Sequence, residues 1–248
     1  MKNYILPLLT ALMLSACTLP QMLVDEELAS SASEMPVKGR QGLMLNQKIS
    51  FGSYQSERVR RGWTRSHELD FFLAGLEGAR QKYSFELFSD RQKVYTVLAA
   101  HKIKGVDLPI GRFTHTGSAL RELLSFTVQT ENSFAASLYN MQDEAIYRLL
   151  ILNPDDIRKN GRYAGFLTND LDHHIEILPV RKLANQKSIG NEIIDFEFRE
   201  AGKAVAAVEL INQGKVWINP ALSPQSQHAL AAACATLLLK EDIDESLN

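Results

Sequence analysis

The chain has 248 residues, with 27 Lys and Arg against 29 Asp and Glu, a formal charge of −2 and 45% hydrophobic residues. That balance excludes a disordered polyelectrolyte and offers no basic footprint for nucleic acid. The length is ample for a buried core.

The first element is "MKNYILPLLTALMLSACTLP". Lys2 gives a short positive start. Ile5 to Leu14 form an apolar run broken by Pro7 and Thr10. A bilayer span needs roughly 20 apolar residues, so this run is too short. Charged start, apolar middle and small residues at a cut are the layout of a secretory leader, here residues 1–16. Leu14-Ser15-Ala16-Cys17 then resembles the lipobox of bacterial lipoproteins, where Leu and two small residues precede the modified Cys. The resemblance implies that the leader is cut before Cys17. It also implies that the Cys17 thiol carries two fatty acyl chains of the palmitate kind, and that the new amino terminus is acylated too. Each buried CH₂ adds about 0.8 kcal/mol, and two chains suffice for stable anchoring. In the enterobacterial sorting pattern, Asp after the Cys retains a lipoprotein in the inner membrane. Thr18 stands there instead, which implies the outer membrane, at its periplasmic face. Losing Lys2 with the leader takes the charge from −2 to −3. The plain alternative is an ordinary leader with a chance cysteine.

The chain has two cysteines. If Cys17 is lipidated, Cys234 has no partner for a disulfide. A lone thiol in an oxidising compartment is safest when buried, where it behaves as a small apolar residue.

Residues 17–40 read as the lipidated cysteine and a flexible tether. The stretch is acidic at Asp25–Glu27, then Ser/Ala-rich, then carries Pro36 and Gly39. A short helix around Met22–Leu28 is compatible with it.

From Gly42 the hydrophobic period becomes two. Leu43, Leu45, Ile49, Phe51 and Val59 take strand-like positions, and Tyr83, Phe85 and Leu87 share a face. A tight turn at Ser89-Asp90 precedes "QKVYTVLAAHKI". Further strands follow in "LLSFTVQTENSFAASLYNMQDEAIYRLLILNPDD", the last ended by Asn153-Pro154, and in "RYAGFLTND" and "HHIEILPVRKL". "NEIIDFEFREAGKAVAAVELINQGKVWINP" reads as three more, joined by Gly-containing hairpin turns. About ten to twelve strands with regular turn signals predict an antiparallel β-barrel or strongly curved sheet. Residues 41–248 read as one β-rich domain.

The last element is a helix predicted over about 224–240. Ser223 is a good N-cap and Pro224 suits the first helical position. From Ala229 to Leu239, Thr236 is the single polar side chain. A helix of about 16 residues is roughly 24 Å long, and its apolar part is too short for a span. A helix apolar on all faces is buried on all faces. The strands are therefore expected to wrap around it. "IIDFEFREAGKAVAAVELINQGKVWINP" followed by "SPQSQHALAAACATLLL" resembles the end of the tubby-like group, which includes LURP-one-related proteins and phospholipid scramblases. There, hairpin strands lead into a hydrophobic helix threading a closed barrel. The likeness is one of pattern over about the last 55 residues. It implies contact with membrane lipid, and no binding residue is carried over.

Candidate ligand-binding residues are few. Arg58, Arg60, Arg61 and Arg65 lie within eight residues, beside Trp63, Tyr54 and His67. Arginine forks fit phosphate and carboxylate, and they stack on aromatic rings. Arg58, Arg60, Arg61, Trp63 and Arg65 are thus the candidate anionic-ligand site, for lipid headgroups, glycan phosphates or carboxylates. The alternative is a strand edge charged to resist pairing. On a strand Arg58 and Arg60 share a face and Val59 points inward. "NDLDHHIEI" gathers Asp170, Asp172, His173, His174 and Glu176, types that ligate divalent metals. Adjacent histidines on a strand face opposite ways, and a polar hairpin is the simpler reading, so no metal is assigned. No nucleophile or phosphate-loop motif is present, and no cofactor is implied. The sequence points to a membrane-anchored envelope lipoprotein that binds a lipid, glycan or protein partner, with no motif that gives reason to claim an enzyme. The alternatives are a hydrolase using Asp170, Asp172 or His174, and an accessory subunit of an envelope assembly or transport complex.

Overall fold

Side chains that alternate with a period of two give strands one dry face, and a long series of such strands curls and closes on itself. The computed structural model describes residues 20–40, 46–61, 81–103, 133–140, 146–152, 154–160, 163–169, 174–188 and 195–240. Its strands are β1 (Met35–Pro36), β2 (Ser50–Phe51), β3 (Tyr54–Ser56), β4 (Arg60–Arg61), β5 (Gln81–Ser89), β6 (Gln92–Ile103) and β7 (Ser133–Tyr139). After these come β8 (Ile146–Ile151), β9 (Gly165–Asn169), β10 (His174–Val180), β11 (Asp195–Glu200), β12 (Lys203–Glu209) and β13 (Lys215–Ile218). The helices are α1 (Glu26–Ser31), α2 (Pro154–Asn160) and α3 (Pro224–Leu239).

From β5 to β13 each strand pairs antiparallel with the next. The path continues from β13 to β1 and from β5 to β3 and β2, making twelve strands in one nearly closed barrel, with β4 also paired to β5. The remaining gap is bridged by Lys38 and Ser50, which exchange backbone hydrogen bonds of 2.9 and 3.0 Å. Gly39 follows at φ +81°, where an added Cβ would run into the Lys48 carbonyl. Two-residue turns join β5 to β6 at Asp90-Arg91 and β11 to β12 at Ala201-Gly202. All four residues have positive φ, as the twist of tight hairpins requires.

The barrel is filled by its own chain. Tyr83, Phe85 and Leu87 point inward, as their spacing predicts, joined by Phe134, Leu138, Leu149, Ile177, Phe198 and Val208. At the centre stands α3. Ser223 caps it, accepting the Ser226 amide at 3.2 Å, and Pro224 opens it. Every residue from Ala229 to Leu239 is buried. Ala99 and Ala136, cross-strand partners on β6 and β7, and Ala206 on β12 belong to the same core as the helix alanines. Small residues on both sides let wall and helix approach closely. The predicted mainly β barrel of ten to twelve strands around a C-terminal apolar helix is the observed architecture.

Residues 20–40 differ from the expected tether. They form a strap on the outer face of β11–β13. Met22, Leu28 and Ala32 cover Ala204, Ala207 and Trp217 in a second, external apolar cluster. Asp25 caps α1 and reaches Arg199 at 3.1 Å. The strap then returns as β1, whose Met35 and Pro36 pair with Val216 and Lys215. Burial of its apolar residues is what ties it down, and the segment supplies a strand of the ring.

Because α3 has no wet face, a charge on it would be buried without a partner. Ala232→Asp or Ala233→Asp is expected to cost several kcal/mol and to abolish cooperative folding. Circular dichroism during urea unfolding measures this, and native-like stability in either variant would put the helix outside the barrel.

Candidate functional site

The arginine cluster divides between surface and core. Arg58 and Arg60 are exposed and Val59 between them is buried, as strand alternation predicts. Arg61 has the parity of Val59 and turns inward. Its Nη2 donates to the Leu239 carbonyl at 3.2 Å and to Gln47 Oε1 at 2.9 Å, and its guanidinium lies 5.5 Å from the centre of the Tyr83 ring. Arg61 is therefore part of the fold rather than of an exposed anion site. Trp63 and Arg65, like His67, lie outside the described residues.

What Arg61 meets is the carboxyl end of α3. The last four carbonyls of a helix have no partner within it and carry the negative end of its dipole. Here all four are satisfied. Thr236 O accepts from Tyr83 Oη at 2.6 Å, and Leu237 O accepts from the Lys240 amide at 3.2 Å. Leu238 O accepts from Arg40 Nε at 3.1 Å, and Leu239 O from Arg61. Arg40 Nη1 also donates to the Leu210 and Asn212 carbonyls. Gln47 links the two arginines, donating to Arg40 O at 2.7 Å while accepting from Arg61. Neither Arg40 nor Tyr83 stood out in the sequence. Arg40 fell in the assumed tether, and Tyr83 was read as core alone. The inward parity of Arg61 was a legible signal.

Beside this mouth, two buried carboxylates face each other as Cα partners on β11 and β12. Asp195 Oδ1 accepts the Leu210 amide at 2.7 Å, and its Oδ2 is buried without a hydrogen-bond partner. Glu209 Oε2 accepts the Met22 amide of the strap at 2.8 Å. Burial pushes the Asp195 carboxyl up to about 7, and the Glu209 charge adds to this against the pull of the Leu210 and Ile211 amides and Arg40. Burial raises Glu209 too, opposed by the Met22 amide and Lys215. The sequence carried a faint sign of both: each is a lone acid in an otherwise apolar run, "IIDF" and "AAVEL".

At the opposite mouth the His228 ring lies edge-on to Tyr54 with centroids 5.8 Å apart. Burial lowers the His228 pKa, against the attraction of Asp90. This is a packing contact at the start of α3. Cys234 lies buried in the same helix, and burial pushes its thiol far up, away from reactive thiolate.

Of the metal-type residues, His174 and Glu176 share the outer face of β10. Asp170, Asp172 and His173 lie outside the described residues, as do Cys17 and His115. Among the described residues no three His, Cys, Asp or Glu side chains gather as a metal site. No helix of the described residues is long and apolar enough to cross a membrane. No protein-family model, curated protein or solved structure matches the chain.

Arg61→Ala should lower unfolding free energy by about 1.5–3 kcal/mol, the range for a charge-assisted hydrogen bond. Arg58→Ser with Arg60→Ser should stay within about 0.5 kcal/mol of wild type in the same urea titration. For Asp195, the folded state keeps a proton that the unfolded chain releases near 3.8. Stability from this group is full below that pH and is lost as pH rises to about 7, with a slope of at most ~1.4 kcal/mol per pH unit. Asp195→Asn should flatten that decline in unfolding titrations at stepped pH. An unchanged slope would mean Asp195 is ionised throughout.

Proposed function

We propose that this chain is an envelope lipoprotein, anchored through Cys17 and acting by binding rather than by catalysis. The observation that carries the reading is the leader of residues 1–16 ending in Leu14-Ser15-Ala16-Cys17. The buried state of Cys234 supports it, because a chain secreted with an inert second thiol has no competing disulfide chemistry. The outer membrane is the proposed location, from Thr18, with the barrel on the periplasmic side. The tubby-like resemblance belongs to this proposal as well. A slim apolar helix inside twelve antiparallel strands supports it, and membrane lipid is then the favoured ligand class over glycan or protein.

The interior is occupied by α3, so a partner would be met by the outer faces and the mouths. Arg58 and Arg60 remain the exposed half of the anionic-ligand candidate. The hydrolase alternative, through Asp170, Asp172 or His174, gains no described constellation to carry it. An accessory role in an envelope complex is compatible with the same anchor.

Growth with a labelled fatty acid tests the anchor. The wild-type protein should take up label and pellet with membranes, and Cys17→Ala should do neither. An unlabelled wild type would overturn the reading.

A further inference from the structure

The strap begins where it is most tightly held. Asn212 Nδ2 donates to the Pro20 carbonyl at 3.0 Å. The Ala184 amide donates to Gln21 O at 2.8 Å, and the Leu23 amide to Lys182 O at 2.9 Å. Met22 forms a bridge with Leu183, donates to Glu209 and is buried. Residues 20–23 are thus laced to two loops, 181–188 after β10 and 210–214 between β12 and β13. Val180 pairs with Asp195, Asp195 with Glu209, and Glu209 with Lys215. Those pairings put both loops at one mouth of the barrel, the mouth where α3 ends against Arg40 and Arg61.

Resting on the anchor proposed above, we infer that this mouth lies against the bilayer surface and holds the barrel in a fixed orientation. The reach of the chain decides it. Two residues, Thr18 and Leu19, lie between Cys17 and Pro20, and three extended steps of at most about 3.6 Å each span roughly 11 Å. The headgroup layer on one side of a bilayer is about 5–8 Å thick. A lipid-bearing Cys17 therefore leaves Pro20 within or just above the headgroups, with no length for the barrel to turn over.

Charge points the same way. The loop 181–188 carries Arg181, Lys182 and Lys187 and no acid, with Lys182 and Lys187 exposed. Among the described residues Glu209, which accepts the Met22 amide, is buried, and Glu34 pairs with Lys215 at 2.9 Å. The acidic run Asp25–Glu27 is carried away from this mouth, Asp25 binding Arg199, which also holds the β11–β12 turn through Gly202. Among the described residues the 181–188 side of this mouth is thus positive, and a positive loop fits anionic phospholipid.

The test uses full-length acylated protein in vesicles of phosphatidylethanolamine and phosphatidylglycerol, with a nitroxide-headgroup lipid as quencher. A fluorophore is attached at Lys187→Cys, or at Lys203→Cys beside the turn at the far mouth. Both positions are exposed lysines, and buried Cys234 takes no label. Quenching at position 187 is expected to exceed that at 203 several-fold. Equal or reversed quenching, with the acyl mass on Cys17 verified in the same preparation, overturns the orientation and leaves the anchor standing. Absence of that acyl mass removes the anchor, and the orientation with it.

Discussion

A helix with no polar face needs a sleeve, and its buried carboxyl end needs donors. Those two requirements organise this molecule. The strands supply the sleeve, with Ala99, Ala136 and Ala206 in the wall sharing a core with the helix alanines. The donors come from parts of the chain with nothing else in common: Arg40 from the strap, Arg61 from a two-residue strand, Tyr83 from β5 and the amide of Lys240. Unmet carbonyls there would sit in low dielectric at the negative end of a dipole, where desolvation is costly. The arginines therefore serve the interior first. That is why a cluster that looks like a ligand site in the sequence is only partly on the surface.

The strap extends the same logic to the outside. A twelve-strand ring has an edge wherever it fails to close, and open edges invite pairing with other chains. Here the edge is covered by β1 and by the bridge between Lys38 and Ser50. The same segment lays Met22, Leu28 and Ala32 over small residues and Trp217 on the outer wall. It also meets the Asp195–Glu209 pair, which by strand parity belongs to the outer face, through the bond from the Met22 amide to Glu209. Both carboxylates are buried, and their raised pKa values follow from that burial.

The sequence made local features legible and left distant ones hidden. Ser223-Pro224 and the Ala/Leu run locate α3 to within one residue at its carboxyl end, because capping and helix propensity act over a few neighbours. Alternation at Tyr83, Phe85 and Leu87 gives β5 its inner face for the same reason. The turn at Asp90-Arg91 lies one residue beyond the expected place, since Ser89 still pairs with Gln92. Arg61 was legible in principle, through its parity with Val59, but charge composition suggested a surface. The strap was not legible. Met22, Leu28 and Ala32 lie in no long apolar run, and what buries them is a wall of Ala204, Ala207 and Trp217, nearly two hundred positions later. Asp195 shares part of that obscurity: the apolar residues around it hint at burial, but nothing near it in sequence names Glu209 as its cross-strand partner.

Arg40 and Leu238 are bonded across 198 positions of chain, and β1 can join the ring only beside β13. The meander from β5 to β13 can pair strand by strand, but its curl has neither plug nor seal until the last segment exists. The plug and the donors that seal its end are therefore drawn from opposite ends of the described chain, and the closed barrel depends on both at once.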